Sequence, residues 1–192
     1  MKFKERLKTR KFWSNAFFYL FVVLMLFPSS RKAIQVQIVR ISSFAPSLNN
    51  NSSHHEKIAE GDWSMKLLTE NGDIIDLEDL RNKSLFVNIW ATWCPPCIAE
   101  MPSINELFLE MNNMNFALIS REPIEKLKSF KQSRGYNFPV FQMMSASPER
   151  LSRSNSIPAT YILSADGKLL LEHQGAKNWS SNKFIKELLP FI

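Results

Sequence analysis

Apolar and polar positions along residues 61–192 fall into the short runs that are typical of an α/β domain. Strand patterns occur at 63–68, 73–77, 84–90, 116–120, 140–141, 159–163 and 168–171. Helix patterns run from Pro95 or Pro96 to about Glu110, from 123 to 133, briefly at 147–149, and from Ser180 or Ser181 to Leu189. Asn71-Gly72 joins the first two strands as a hairpin. The order β-β-β-α-β-α-β-α-β-β-α predicts a central mixed sheet flanked by helices, with an extra N-terminal β-hairpin.

A different pattern occupies residues 1–30. Six basic residues precede Phe12, and no charged residue then occurs before Arg31. A helix over this uncharged stretch spans roughly 28 Å, close to the thickness of the hydrocarbon core of a membrane. The basic cluster before it predicts an uncleaved membrane anchor with its N-terminus inside. A cleaved signal peptide is an alternative, but Phe27-Pro28-Ser29-Ser30-Arg31 offers no Ala-x-Ala cleavage pattern. A buried amphipathic helix fits poorly because the segment is apolar on all sides.

Residues 31–60 form a predicted juxtamembrane linker, and its part from Ser42 to Glu60 is rich in Ser, Asn and His. The formal net charge of the chain is +6. Residues 1–45 carry nine Lys or Arg and one acid, whereas the remainder carries fifteen basic and seventeen acidic residues. The basic character therefore belongs to the N-terminal arm, and no nucleic-acid-binding surface is predicted. Residues 61–192 are left as one domain of ordinary size.

The chain contains two cysteines, Cys94 and Cys97, with Pro95 and Pro96 between them and Trp93 before them. This spacing predicts a reversible dithiol/disulfide at a helix N-terminus, where the helix dipole and free N–H groups stabilise a thiolate. Cys94, at the helix N-cap, is expected to be the more exposed nucleophile, and Cys97 is expected to resolve the mixed disulfide. Because neither proline has an N–H group, fewer donors stabilise the Cys94 thiolate, which favours a reductant. Trp93 is expected to flank the site.

Other uses of the cysteine pair fit the sequence less well. A c-type haem site requires His directly after the second cysteine, where this chain has Ile98. A zinc site requires two more ligands, and His54, His55 and His173 form no second ligand pair. The peroxidatic Pro-x-x-x-Thr-x-x-Cys pattern is missing around Cys94. The sequence therefore predicts neither a metal nor another cofactor.

The segment Asn88-Ile89-Trp90-Ala91-Thr92-Trp93-Cys94-Pro95-Pro96-Cys97, followed by Glu100-Met101-Pro102, resembles the thioredoxin fold. In particular it resembles the membrane-anchored TlpA/ResA-like thiol-disulfide oxidoreductases. Residues 135–140 and 157–160 match the same family, and the resemblance covers about residues 62–190. It implies a thioredoxin-like fold and the activity of a protein-disulfide reductase.

The resemblance also implies roles for residues away from the cysteines. Pro158 matches the family's cis-proline, so Ile157 is expected to bind a substrate strand through its main chain. Asn88 stands where thioredoxins proper carry a buried acid, and it cannot titrate. Glu100 matches an acidic residue of the ResA-like group that acts near the site, where it tunes the cysteine pKa values or takes a proton. The alternative for Glu100 is a first-turn glutamate that is favoured by the helix dipole.

From this resemblance we expect a reductant of disulfides in extracytoplasmic proteins such as apocytochrome c, the family's best-known substrate. A membrane electron-relay protein is expected to re-reduce the oxidised Cys94–Cys97 pair of this reductant. The expected location is the bacterial cytoplasmic membrane, which the chain spans once, with residues 61–192 on the extracytoplasmic or periplasmic side. Two alternatives stay open: a disulfide oxidant or isomerase, which usually carries His inside the motif, and a non-catalytic redox-sensing docking module.

Overall fold

The computed structural model describes residues 13, 15–19, 63–145, 151 and 156–191. The predicted linker at 31–60, the short helix at 147–149 and most of the predicted membrane segment at 1–30 lie outside these residues. In the part of the chain that is described, no helix is both long enough and apolar enough to cross a membrane.

The strands of the described domain are β1 (Lys66–Leu68), β2 (Ile74–Asp76), β3 (Ser84–Ile89), β4 (Met114–Ser120), β5 (Val140–Met143), β6 (Ala159–Leu163) and β7 (Leu169–Gln174). Its α-helices are α1 (Pro95–Glu110), α2 (Ile124–Arg134) and α3 (Asn182–Leu188). Short 3-10 helices at Leu77–Leu80 and Leu189–Phe191 follow β2 and α3.

These strands form one sheet in the order β2-β1-β5-β4-β3-β6-β7. β4 runs parallel to both β3 and β5, whereas β1 on β5, β6 on β3 and β7 on β6 are antiparallel. Parallel neighbours need crossover connections, which α1 and α2 supply. The mixed sheet and the additional β1–β2 hairpin that the element order predicted are confirmed.

The first hairpin turns at Gly72, as predicted. Gly72 has a φ of 93°, in the left-handed region that glycine tolerates, and its N–H donates to Thr69 O at 3.1 Å. The prediction was wrong about where the second strand ends, because Leu77 begins a 3-10 helix instead of continuing β2. The N–H of Asp76 donates to Asp79 Oδ2 at 2.9 Å, a local bond that turns the chain out of the sheet.

Both faces of the central strands are buried. In β3, Phe86 packs into one apolar cluster, while Leu85 and Val87 pack into the cluster on the opposite face. The three α-helices contribute to the Phe86 cluster, and the opposite cluster includes Trp63 and Leu77. Burial on both faces explains why β3 is apolar at nearly every position.

The pairing of β3 with β6 determines where the cysteines lie. Ile89, the last residue of β3, pairs with Ala159, the first residue of β6, in the antiparallel register. The chain that leaves β3 toward α1 and the chain that enters β6 therefore meet at the same end of the sheet. Cys94 and Pro158 lie in these two connections.

Candidate active site

A tight turn carries the chain from β3 to α1. The N–H of Trp90 donates to Ile119 O at 3.1 Å, which extends the β3–β4 ladder by one residue. The N–H of Cys94 then donates to Ala91 O at 3.2 Å and closes a four-residue turn, 91–94, which we call the redox turn. Cys94 is the N-cap of α1, and Pro95 and Pro96 are its first two residues. The predicted helix N-terminal position of the cysteine is confirmed.

The two cysteines form a disulfide with an S–S distance of 2.11 Å and a Cα–Cα distance of 5.3 Å. Cys94 is 3% exposed and Cys97 is fully buried. The N–H of Cys97 donates to Cys94 Sγ at 3.2 Å. Trp93 is 59% exposed directly beside the pair. Cys94 is therefore the sulfur that an incoming disulfide can reach, and Trp93 flanks the approach to it, as predicted.

The connection into β6 lies against the reactive sulfur. The Ile157–Pro158 peptide bond is cis, as the resemblance implied. Ile157 O lies 3.8 Å from Cys94 Sγ; a disulfide sulfur carries no proton, so this is a van der Waals contact in the oxidised protein. Pro158 O accepts a hydrogen bond of 2.8 Å from the N–H of Gly175. The role of Ile157 and Pro158 in substrate binding stays a prediction.

Glu100 is a buried carboxyl group on α1. It is 2% exposed, and its Oε1 accepts from Asn88 Nδ2 at 2.9 Å. Its Oε2 accepts from Trp179 Nε1 at 2.8 Å and from the N–H of Lys177 at 3.2 Å. The alternative of a first-turn glutamate is wrong, because Glu100 lies beyond the first turn of α1 and faces the interior.

Burial raises the pKa of Glu100 to about 7, and the hydrogen bonds from Trp179, Asn88 and Lys177 offset only part of this effect. A carboxyl group with such a pKa can gain or lose a proton near neutrality. The hydrogen bonds of the Glu100 carboxyl group in the described structure run to these three residues and not to a cysteine sulfur. Any influence of Glu100 on the cysteines is therefore electrostatic or indirect.

Asn88 links three elements beneath the site. Besides its bond to Glu100, its Nδ2 donates to Thr160 Oγ1 at 2.9 Å. Asn88 is fully buried, and within the described residues its Oδ1 has no hydrogen-bond partner. The amide side chain of Asn88 cannot titrate. Asn88 instead ties β3 to α1 and β6.

Several residues near the site were missed from the sequence. Trp179 and Lys177 lie far along the chain from Glu100, and no spacing links them to the cysteine motif. The same holds for Glu122, whose carboxylate accepts both the N–H and the hydroxyl of Thr92 in the redox turn. No cluster of His, Cys, Asp and Glu side chains able to hold a metal ion occurs among the residues that the structure describes.

The site can form and break one disulfide reversibly. A nearly buried sulfur at a helix N-terminus lies beside a cis-proline connection, and a second sulfur lies within reach of it. This arrangement, on a mixed sheet with flanking helices, defines a thiol-disulfide oxidoreductase. Residues 61–171 match the AhpC/TSA family, and the chain belongs to that family.

Relatives and solved structures agree with this class. The chain is 28% identical over 123 residues to the thiol-disulfide oxidoreductase ResA of Bacillus thuringiensis subsp. konkukian, covering 62% of this chain and 71% of that protein. It is 28% identical over 156 residues to ResA of Oceanobacillus iheyensis, covering 79% and 81%. A thioredoxin family thiol:disulfide interchange protein from Chlorobium tepidum superposes with a TM-score of 0.52 at 25% identity, over 66% of this chain and 93% of that one. The predicted thioredoxin-like fold and ResA-like resemblance are confirmed.

Proposed function

We propose that this protein reduces disulfides in extracytoplasmic proteins, with apocytochrome c as a client. The observation that carries the proposed direction is the set of N–H donors around Cys94 Sγ. The first two residues of α1 are Pro95 and Pro96, which have no N–H groups. The donor to Cys94 Sγ in the described structure is the N–H of Cys97, at 3.2 Å. A sparsely stabilised thiolate gives up its electrons more readily, which favours a reductant.

The reaction transfers two electrons from the dithiol to the client. The Cys94 thiolate attacks one sulfur of the client disulfide, a mixed disulfide forms, and the other client sulfur leaves as a thiolate that takes a proton. Cys97 then loses its proton and attacks Cys94 Sγ. The mixed disulfide breaks, the client leaves with two thiols, and Cys94–Cys97 is oxidised. The disulfide present in the structure is thus the product state of this cycle.

A dithiol donor must return the enzyme to its reduced form. We propose a membrane thiol relay as this donor, and an uncharged segment at residues 12–30 that anchors the enzyme in the bacterial cytoplasmic membrane beside it. The domain that follows the linker then lies on the extracytoplasmic side. The support for this arrangement is the charge pattern of residues 1–31, with basic residues before the uncharged stretch.

A client reaches Cys94 Sγ between an exposed aromatic side chain and an accessible stretch of main chain. Trp93 offers an exposed aromatic surface on one side. The main chain of Ile157, which precedes β6 and lies outside the sheet register, is available on the other side to pair with an extended client segment. An unfolded client with a disulfide in an extended segment, such as an oxidised Cys-x-x-Cys-His sequence, suits this opening.

The reduction potential of Cys94/Cys97 tests the direction. We expect a value near or below about −250 mV when the protein is equilibrated with a glutathione or dithiothreitol redox buffer, in the range of thioredoxin. A value near about −120 mV would show an oxidant of secreted proteins instead. Client choice is tested separately, by comparing the rate at which the reduced protein opens an oxidised Cys-x-x-Cys-His peptide with its rate on the same peptide with His replaced by Ala. Equal rates would contradict recognition of the haem-attachment sequence.

A further inference from the structure

The redox turn has backbone N–H groups beside the reactive sulfur that its own closing bond does not use. Its closing bond uses the N–H of Cys94 and the O of Ala91, so the two central residues, Thr92 and Trp93, keep N–H groups that the turn itself does not satisfy. Trp93 is largely exposed, and Thr92 is half-buried. The direction in which Trp93 and Cys94 face a client therefore depends on what holds Thr92.

Glu122 holds Thr92 at two points. Its Oε2 accepts the N–H of Thr92 at 2.6 Å, and its Oε1 accepts the Thr92 hydroxyl at 2.9 Å. The Glu122 side chain is 12% exposed, so water competes little for these bonds. Hydrogen bonds to an ionised carboxylate are stronger than those between neutral groups, and two of them fix orientation as well as distance.

The carboxylate is itself held in place. The N–H of Glu122 donates to Ser120 Oγ at 3.2 Å at the end of β4, and Lys126, one turn along α2, forms an ion pair with Glu122 Oε1. Burial acts to raise the pKa of Glu122, but the hydrogen bonds from Lys126 and Thr92 outweigh it and hold the pKa below its ordinary value. Glu122 therefore remains an anion at neutral pH, anchored to β4 and α2.

We infer that Glu122 is a positioning residue for the reaction: by clamping Thr92, it fixes the redox turn so that Trp93 and Cys94 Sγ face a protein disulfide together. This inference rests on the proposed function, since it concerns how the site meets a protein client. A small disulfide reaches the sulfur without using Trp93 and needs little of this orientation. Loss of the clamp should then slow reaction with a protein disulfide more than reaction with a small one.

The test uses the full-length protein, pre-reduced, and measures its rate of oxidation by insulin as a protein disulfide and by dithiobis(nitrobenzoate) as a small one. For Glu122→Ala we expect the rate with insulin to fall about tenfold, and the rate with the small disulfide to change by less than about twofold. Thr92→Val removes one of the two bonds, so we expect a fall of about threefold with insulin. Thr92→Ser keeps both donors and should restore the wild-type ratio of the two rates.

Lys126→Met is the matched control. It removes the ion pair, whose Lys126 side chain is 55% exposed, and leaves both bonds to Thr92, so the rate with insulin should fall by less than about twofold. Equal losses with the two disulfides, or a loss in Lys126→Met as large as in Glu122→Ala, would overturn the inference. If circular dichroism shows that Glu122→Ala does not fold, Thr92→Val replaces it as the test variant. An unchanged rate of Thr92→Val with insulin would then overturn the inference. A wild-type protein that reduces neither disulfide would instead contradict the proposed function.

Discussion

The indole Nε1 of Trp179 donates a hydrogen bond of 2.8 Å to Glu100 Oε2, across a sequence separation of 79 residues. This bond joins the second turn of α1 to the segment that precedes α3. The indole is one of three N–H donors to this carboxyl group. Burial raises the pKa of the group to about 7. The protonation of Glu100 is therefore linked to the packing of the C-terminal part of the domain.

Trp179→Phe should raise the pKa of Glu100 further above its ordinary value. The substitution removes a donor that stabilises the carboxylate, while the burial that destabilises it remains. The measurement is the pH titration of the Glu100 side-chain carboxyl carbon by NMR. Trp63→Phe is the matched control, because Trp63 is equally buried and its Nε1 has no partner within the described residues. A pKa that stays unchanged in Trp179→Phe would show that the hydrogen bond has no role in the titration.

Glu100 should make the fold less stable as pH rises. Its folded pKa of about 7 lies above its ordinary value of 4.5, so its stabilising contribution is complete below about pH 4.5 and is lost as pH rises through about 7. The loss amounts to roughly 3 kcal/mol. Urea unfolding of the oxidised protein at pH 5 and pH 8 measures it, with Glu100→Gln as the reference that cannot titrate. The free energy of unfolding of Glu100→Gln minus that of the wild type should be larger at pH 8 than at pH 5. A difference that stays constant with pH would contradict this linkage.

Pro96→Ala should raise the reduction potential of Cys94/Cys97. Alanine restores an N–H group in the first turn of α1, beside Cys94 Sγ, and the better-stabilised thiolate favours the reduced form. We expect an increase of up to roughly 30 mV, which corresponds to ~1.4 kcal/mol. Equilibration with a glutathione buffer measures it.

Pro102→Ala is the matched control for this substitution. It also restores an N–H group in α1, but more than a turn away from the sulfur, so the potential should not move. A shift of equal size in the two variants would mean that helix stability, and not the donor beside Cys94, determines the potential.

Cys97→Ser should trap the client. Cys94 is the less buried cysteine of the pair and Cys97 is fully buried, so Cys94 forms the mixed disulfide and Cys97 is needed to release it. Incubation of reduced Cys97→Ser with insulin whose disulfides are intact should yield a covalent adduct on a non-reducing gel, and Cys94→Ser should yield none. An adduct that forms with Cys94→Ser would reverse the assigned roles.

Local signals in the sequence predicted most elements of the fold. The apolar run of β3, Gly72 in the first turn and Ser181 at the start of α3 act through neighbouring residues, and Ser181 Oγ accepts the N–H of Phe184 at 3.4 Å as a helix cap should. The end of β2 was misplaced because the apolar residue Leu77 suits a strand and a buried 3-10 turn equally well. Pattern alone does not distinguish these two ways of burying one side chain.

The features of the site likewise separate into those that local sequence predicted and those that depend on tertiary contacts. With Cys94 at a helix N-terminus and Cys97 in the first turn, the spacing of the two cysteines brings their sulfurs together, so local sequence was enough to predict the disulfide. Tertiary structure alone decided that Glu100 is buried against Trp179, that Glu122 clamps Thr92, and that Ile157 lies against the reactive sulfur. These contacts join elements far apart in the chain, through the register of β3 with β6 and the packing of helices on the sheet. Many weak non-local interactions determine that register and packing together, and no short stretch of sequence encodes them.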